Sequence, residues 1–212
     1  MPDFDVVDLG PTDHRSVGET APDFTRPLVT AESWEDRSLT DVTGDGPTLL
    51  LFTTMVGAFL AEYTFTELRE RGIGIGADDE PSEENGDDSH EDERGVNDDF
   101  PADGSDESAT ETDSEPKLED VTVVAVSISS PYETIRFLAA DDYPYGVFSD
   151  PSNAVAEAYG VVHDLDGMAG IAEPRPAAFV LESDRTIQYA WVATEWPSRP
   201  DFDDVVAALE SG

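Results

Sequence analysis

Few residue patterns in this sequence indicate acid–base, redox or covalent chemistry. His163 and Asp164 are adjacent, a pair that can provide a general base and its orienting carboxylate, although a surface turn in an acidic protein predicts the same dipeptide. Met55 could be oxidised at its thioether, but a role as core filler is the expectation. The sequence has no cysteine, which excludes disulfides, thiolate metal sites and thiol catalysis. No metal-ligand spacing or phosphate-binding glycine loop is recognisable, so we expect no metal and no cofactor.

Acidic residues dominate the composition. The 212 residues include 49 Asp and Glu against 11 Lys and Arg, a net charge of −38, and Lys117 is the only lysine. This composition is typical of proteins from halophilic archaea, whose multimolar salt screens charge repulsion to a Debye length of about 3 Å at 1 M. We expect no nucleic-acid partner, because the sequence lacks the basic residues that such binding needs.

Neither export nor membrane insertion is predicted. The first ten residues have no basic start and no apolar stretch, so they do not resemble a secretory signal. The longest apolar run, 48–60, has about 13 residues, whereas about 20 are needed to cross a bilayer. We therefore expect a cytoplasmic protein that does not bind membranes.

The chain is predicted to contain one domain. Residues 1–16 form an N-terminal extension and residues 17–212 the domain, which an acidic insertion at 74–120 interrupts. The insertion is rich in Asp, Glu, Ser, Gly and Pro, so it cannot bury enough apolar surface to offset its ordering entropy and is predicted to be disordered. A solvated surface loop is the favoured interpretation, since long loops cost little closure entropy. A partner-binding acidic arm is the alternative.

Hydrophobic patterns outside the insertion alternate between strands and helices. Strands are predicted at 48–53, 121–127, 145–148, 177–181 and 187–192, and helices at 57–71, 131–140, 151–159 and 202–209. The polar turn 183–185 should join the last two strands as a hairpin. This order predicts an α/β fold whose mixed sheet has helices on both faces.

Four segments carry a resemblance to a known family. They are GETAPDF at 18–24, VVAVSISSPYETIRFLA at 123–139, FSDPSNAVAEAYGV at 148–161 and AAFVLESDRTIQYAW at 177–191. Together they resemble peroxiredoxins of the alkyl hydroperoxide reductase/thiol-specific antioxidant family. The resemblance implies a thioredoxin-like fold of the peroxiredoxin type. A flavodoxin-like sheet is the second choice, but the closing hairpin argues against it.

The family's peroxide-attacking cysteine lies in the first turn of a helix, followed by a Thr-x-Glu-Leu-like stretch. The matching stretch here is YTFTEL at 63–68, which is a few residues further from the preceding strand than the family pattern. Counting back from its Glu-Leu pair puts Thr64 at the cysteine position, and a shift of one residue puts Tyr63 there. Neither hydroxyl can replace a thiol, because an alcohol is far less acidic and has no sulfur to oxidise.

The family also has an arginine on a later strand, which helps to hold the peroxide. Counting back three residues from Phe179 reaches Pro176, and Arg175 is one residue away from that position. Pro176 also matches a cis-proline that precedes this strand in many thioredoxin folds. We therefore predict a cis peptide bond there.

The resemblance implies the scaffold, while the missing cysteine argues against the chemistry. The favoured interpretation is a binding or regulatory pseudo-enzyme that forms a homodimer or a heterodimer with an active paralogue. One alternative is a redox enzyme acting through a partner's thiol or a cofactor. Another is an interaction module that works through the acidic insertion. Because a fold does not determine a function, the site must decide between them.

Overall fold

The computed structural model describes residues 5–76, 117–163 and 171–211. In chain order, the elements are β1 Val7–Asp8, β2 Thr25–Val29, β3 Trp34–Ser38, α1 Leu39–Val42, β4 Thr48–Phe52, α2 Phe59–Glu70, a 3-10 turn Leu118–Asp120, β5 Thr122–Ser127, α3 Pro131–Ala140, β6 Gly146–Ser149, α4 Ala154–Tyr159, β7 Val162–His163, β8 Glu173–Pro174, β9 Ala177–Leu181, β10 Ile187–Val192, β11 Glu195–Trp196 and α5 Phe202–Leu209.

Seven strands form the central sheet, in the order β10-β9-β4-β5-β6-β2-β3. The middle strands β4, β5 and β6 are parallel, and the strands on either side of them are antiparallel. All five residues of β4 are buried, as expected for a continuous apolar run at the centre of a sheet. The predicted mixed sheet is therefore confirmed.

Helices cover both faces of this sheet because alternate strand residues point to opposite sides. Leu49 and Leu51 of β4 pack in one cluster with residues of α2, α3 and α5. Leu50 and Phe52 pack in a second cluster with residues of α1 and α4. The second cluster centres on Tyr159, whose ring is 5.0 Å from that of Phe52 and whose hydroxyl donates to Pro22 O at 2.9 Å.

Several predicted boundaries agree with the structure. Helices α3 and α5 and strands β9 and β10 have the predicted limits. Helix α3 begins with a capping box in which Ser130 and Glu133 satisfy each other's backbone N–H groups. Helix α5 begins at Asp201, whose carboxylate accepts from Asp203 N at 2.9 Å.

Two helices begin later than predicted. Helix α4 starts at Ala154 instead of 151, because Asn153 has a left-handed backbone (φ 59°) that interrupts the helix. Helix α2 starts at Phe59 instead of 57, because Gly57 has φ 77° and Ala58 is extended. Both later starts lengthen loops at the carboxyl ends of the parallel strands.

The N-terminal segment packs on the domain. Strand β1 pairs with β11, and Arg15 N donates to Tyr159 O at 3.1 Å. Gly74 N donates to Leu118 O at 2.7 Å, so the chain leaves and re-enters the described structure at neighbouring points. The domain limits themselves stay a prediction.

In the part of the chain that the structure describes, no helix combines the length and the apolar character that crossing a membrane requires.

Candidate functional site

The loop between β4 and α2 is fixed to the end of β5. Val56 N donates to Ser129 Oγ at 3.1 Å, and Ser127 Oγ donates to Thr54 O at 2.5 Å. Ser127 and Ser129 are both buried, so these bonds are shielded from water. These bonds therefore fix the loop that leads into helix α2.

The first turn of α2 carries neither a thiol nor a hydroxyl group. Its residues are Phe59, Leu60, Ala61 and Glu62, and both Leu60 and Ala61 are buried. Thr64 lies in the second turn, where its hydroxyl donates to Leu60 O at 2.8 Å. The extra residues noted between β4 and the YTFTEL stretch therefore displace Thr64 by about one helical turn from the start of the helix.

Thr64 and Pro176 line the same small cavity, which we call the Thr64 cavity. Its volume is about 10 Å³, enough for about one water molecule. Tyr63 is not among its lining residues. It is 42% exposed, and its ring packs edge-on against Phe59 at 6.3 Å. The structure thus brings two of the four candidate residues together.

Arg175 is buried elsewhere and binds backbone carbonyls. Its guanidinium donates to Gly10 O at 2.6 Å, to Leu9 O at 2.9 Å and to Ala193 O at 3.4 Å. Burial lowers the pKa of Arg175. No carboxylate appears among these acceptors, so in this structure the side chain anchors the N-terminal segment to the sheet.

The predicted cis bond at Pro176 is wrong. Within the described residues, the cis peptide bond is the one between Trp196 and Pro197. Arg175 N donates to Val161 O at 2.7 Å, and Pro176 O accepts from Ala193 N at 2.9 Å. These two hydrogen bonds keep the chain extended between β8 and β9. An extended chain is compatible with the trans isomer, which X-Pro bonds prefer.

A different arginine reaches the Thr64 cavity. Arg199 is one of its lining residues, and its guanidinium lies 3.8 Å from the Glu67 carboxylate. Glu67 also accepts from Arg71 Nε at 2.7 Å, and Arg71 pairs with Asp203 at 2.6 Å. The hydrogen bond to Asp203 has the larger effect and the bond to Glu67 the smaller, and both raise the pKa of Arg71. Sequence reasoning missed Arg199 because no local motif indicates a site there.

A larger depression lies at the carboxyl ends of β4, β5 and β6, and we call it the strand-end cleft. Its volume is about 460 Å³, and the residues lining it include Met55, Ile128, Glu133, Asn153, Glu157 and Ile171. Open α/β sheets commonly bind ligands at this edge. Met55 is 38% exposed here, so its expected role as core filler is wrong. The later start of α2 leaves it in the loop.

Asp150 holds the floor of this region together. Its carboxylate is 1% exposed and accepts from Arg26 Nε at 2.9 Å, Ser152 Oγ at 2.8 Å and Val155 N at 2.7 Å. A buried carboxylate with three donors is well compensated for its loss of water. Asp150 therefore ties β2, the turn after β6 and the start of α4 into one unit.

His163 pairs with Glu173 across the short β7–β8 ladder. Asp164, its predicted catalytic partner, lies outside the described residues, so the dyad stays a prediction. Within the described ranges, no group of three or more His, Cys, Asp or Glu could hold a metal ion.

Comparisons with known proteins agree with this architecture. Residues 107–190 match the model of the AhpC/TSA family. A search of curated proteins found no significant match. Among solved structures, a peroxiredoxin-like protein from Aquifex aeolicus is 18% identical, with a TM-score of 0.62 over 97% of this chain and 91% of that chain.

Two further structures have similar scores. A thiol peroxidase from Chromobacterium violaceum is 15% identical, with a TM-score of 0.62 over 100% of this chain and 94% of that one. Peroxidoxin BcpB from Mycobacterium tuberculosis is 17% identical, with a TM-score of 0.58 over 93% and 98%. At these identities the structures establish the fold alone. With the family match over residues 107–190, they confirm the expected thioredoxin-like fold of the peroxiredoxin type.

Proposed function

We propose that this peroxiredoxin-like, cysteine-free chain is not a peroxidase and acts instead as a binding or regulatory protein. The observation that carries the proposal is the first turn of α2, which holds Phe59, Leu60, Ala61 and Glu62 where the resemblance requires a thiol. No other thiol can substitute, since the sequence has no cysteine.

The Thr64 hydroxyl does not take over the chemistry. Its proton is used in a hydrogen bond to Leu60 O, the bond to the carbonyl four residues earlier that Thr commonly makes in helices. The cavity of about 10 Å³ beside it holds about one water molecule, which is less than a peroxide needs. The fold therefore persists without a reaction centre, which favours binding over catalysis.

A binding role needs an exposed surface, and one aromatic pair provides part of it. Trp34 of β3 is 42% exposed and Tyr132 of α3 is 66% exposed, with their rings 5.0 Å apart edge to face. Exposed aromatic residues are enriched at protein–protein interfaces. We propose that the chain forms a homodimer, or a heterodimer with an active paralogue, through a surface that includes this pair.

The decisive experiment compares peroxide consumption by the parent chain and by Thr64→Cys, with thioredoxin or a dithiol supplied and KCl at about 2 M. We expect no activity from the parent. Thr64→Cys should react with peroxide no faster than a free thiol in solution, because residue 64 lies in the second turn beside a cavity that holds about one water molecule. Thr64→Ser is the matched control for packing. Its fold should be unchanged.

Activity in the parent would contradict the proposal, because it would show that this chain does peroxidase chemistry without a thiol. Activity in Thr64→Cys alone would leave the proposal standing for the parent. It would contradict the expectation that the pocket is closed, because it would show that only the nucleophile was lost. Because the parent has no thiol, a thiol reagent can react with Thr64→Cys only at residue 64. The ratio of the reaction rates in the native and the unfolded variant measures how accessible that position is in the fold.

The composition leads to a proposal about working conditions. We propose that the protein is adapted to high salt, since a net charge of −38 repels itself strongly unless it is screened. Raising KCl from about 0.1 M to about 1 M shortens the Debye length from about 10 Å to about 3 Å. We expect the free energy of unfolding to rise by about 2 kcal/mol or more over this range.

Chemical unfolding in urea, which is uncharged, measures this change. Sucrose at the same osmolality is the control, because it is excluded from the surface but screens no charge. If sucrose stabilises the protein as much as KCl does, or if KCl has no effect, the proposed adaptation is wrong.

A further inference from the structure

Asn153 is a buried amide that the fold does not use. The residue is 6% exposed, and neither Nδ2 nor Oδ1 has a hydrogen-bond partner among the described residues. It occupies the N-cap position of α4 but makes no capping bond, because Asp150 accepts from Val155 N instead. Native proteins seldom bury a polar group without a partner unless it has a role.

Asn153 is one of the residues that line the strand-end cleft, whose volume is about 460 Å³. The volume is in the range of small-molecule sites. Asn153 is accompanied there by two carboxylates, Glu133 and Glu157, and by apolar side chains that include Met55 and Ile128. Among the described residues, no Lys or Arg lines the cleft.

The two carboxylates make the cleft negative. Glu133 Oε2 accepts from Ser130 N at 3.0 Å. This bond, together with that from the Ser130 hydroxyl, lowers the pKa of Glu133, so it is an anion at neutral pH. Glu157 lies on α4, one turn beyond Asn153, on the neighbouring wall. A ligand here would meet negative charge, an amide and apolar surface together.

We propose that the strand-end cleft binds a small organic cation. This ligand has a primary ammonium group, an amide close to it and a short apolar chain. The ammonium group lies near Glu157 and Glu133, the amide pairs with Asn153, and the apolar chain covers Met55 and Ile128. The site goes beyond the proposed function and does not depend on it, because Thr64 is not among the residues that line the cleft.

L-Leucinamide has all three features and is the probe. It is titrated into ¹⁵N-labelled protein in about 1 M KCl, at a pH of about 6.5 where an α-amino group is protonated. We expect a saturable shift of the Asn153 side-chain NH2 signals, which Asn153→Gly identifies by their loss. N-acetyl-L-leucinamide keeps the amide and the apolar chain but has no charge, and it should bind at least tenfold more weakly.

Three variants separate a built site from general attraction to an acidic protein. Asn153→Gly keeps the left-handed backbone and should weaken binding about tenfold, the usual cost of one lost hydrogen bond. Glu157→Gln should weaken it by a similar factor. Glu70→Gln is the control, because it removes the same charge from an exposed position outside the cleft, and it should bind like the parent.

Equal binding by the parent, Glu157→Gln and Glu70→Gln would overturn the proposal, as would equal binding of the acetylated compound. Absence of a saturable shift at the Asn153 NH2 would overturn it too. If Asn153→Gly does not fold, the comparison of the two glutamate variants still decides. None of these outcomes involves peroxide consumption, so they are distinct from the test of the proposed function.

Discussion

Replacing Asp150 with alanine should lower the free energy of unfolding by about 3 kcal/mol, at the low end for breaking a buried ion pair. The change removes the acceptor shared by Arg26, Ser152 and Val155. The carboxylate is 1% exposed, whereas the Arg26 side chain is 30% exposed and can recover part of its hydration. Urea unfolding in about 1 M KCl measures the loss.

A control is needed because removing any acidic residue from a chain of net charge −38 reduces repulsion. Asp36 is exposed on the edge strand β3. Asp36→Ala changes the net charge equally and should alter the free energy of unfolding by less than about 0.5 kcal/mol. If Asp150→Ala costs no more than Asp36→Ala, the buried carboxylate does not hold the turn in place.

Replacing Gly160 with alanine should destabilise the protein by more than about 3 kcal/mol, because it combines two costs. Gly160 has φ +71°, and an added Cβ would lie far inside contact distance of Asp13 O and 3.0 Å from His14 Cα. The N-terminal segment passes so close there that Thr12 Oγ1 donates to Gly160 O at 2.5 Å. Alanine must push this segment away.

Gly72→Ala separates the two costs. Gly72 also has positive φ (+66°), but nothing lies within 4 Å of an added Cβ. We expect it to cost about 1 kcal/mol, from the backbone conformation alone. Limited proteolysis should cut residues 5–16 faster in Gly160→Ala than in Gly72→Ala. Equal stability of the two variants would show that the segment is not held against α4.

Buried apolar runs made the central sheet predictable. The sequences TLLLF of β4 and TVVAVS of β5 are almost wholly apolar, which is typical of buried central strands. Helices α3 and α5 begin where predicted, and each follows a residue type that commonly caps helices, Ser130 and Asp201. Here local and global preferences agree.

Strands β2 and β3 escaped prediction for a physical reason. The residues of β3, WEDRS, lie at the sheet edge and need no apolar alternation. The residues of β2 include Pro27, which normally argues against a strand. It is tolerated because β2 pairs with β6 only through Leu28 and Val29, so Pro27 lies beyond that ladder.

The site was harder to predict than the fold, because its members come from distant parts of the chain. Arg199 and Thr64 line the same cavity although they are far apart in the sequence. Asn153 gave a weak signal, since Asn tolerates the left-handed backbone that ends the turn after Pro151. A motif count cannot foresee that Arg175 turns toward Leu9 and Gly10.

The commitment of Arg175 to those carbonyls also bears on redesign of the protein. A variant given a cysteine in α2 would not gain a free guanidinium at residue 175, because releasing Arg175 would leave the carbonyls of Leu9 and Gly10 without their donor. Redesign of this region therefore has to supply a substitute donor for the N-terminal segment before Arg175 can be given another task.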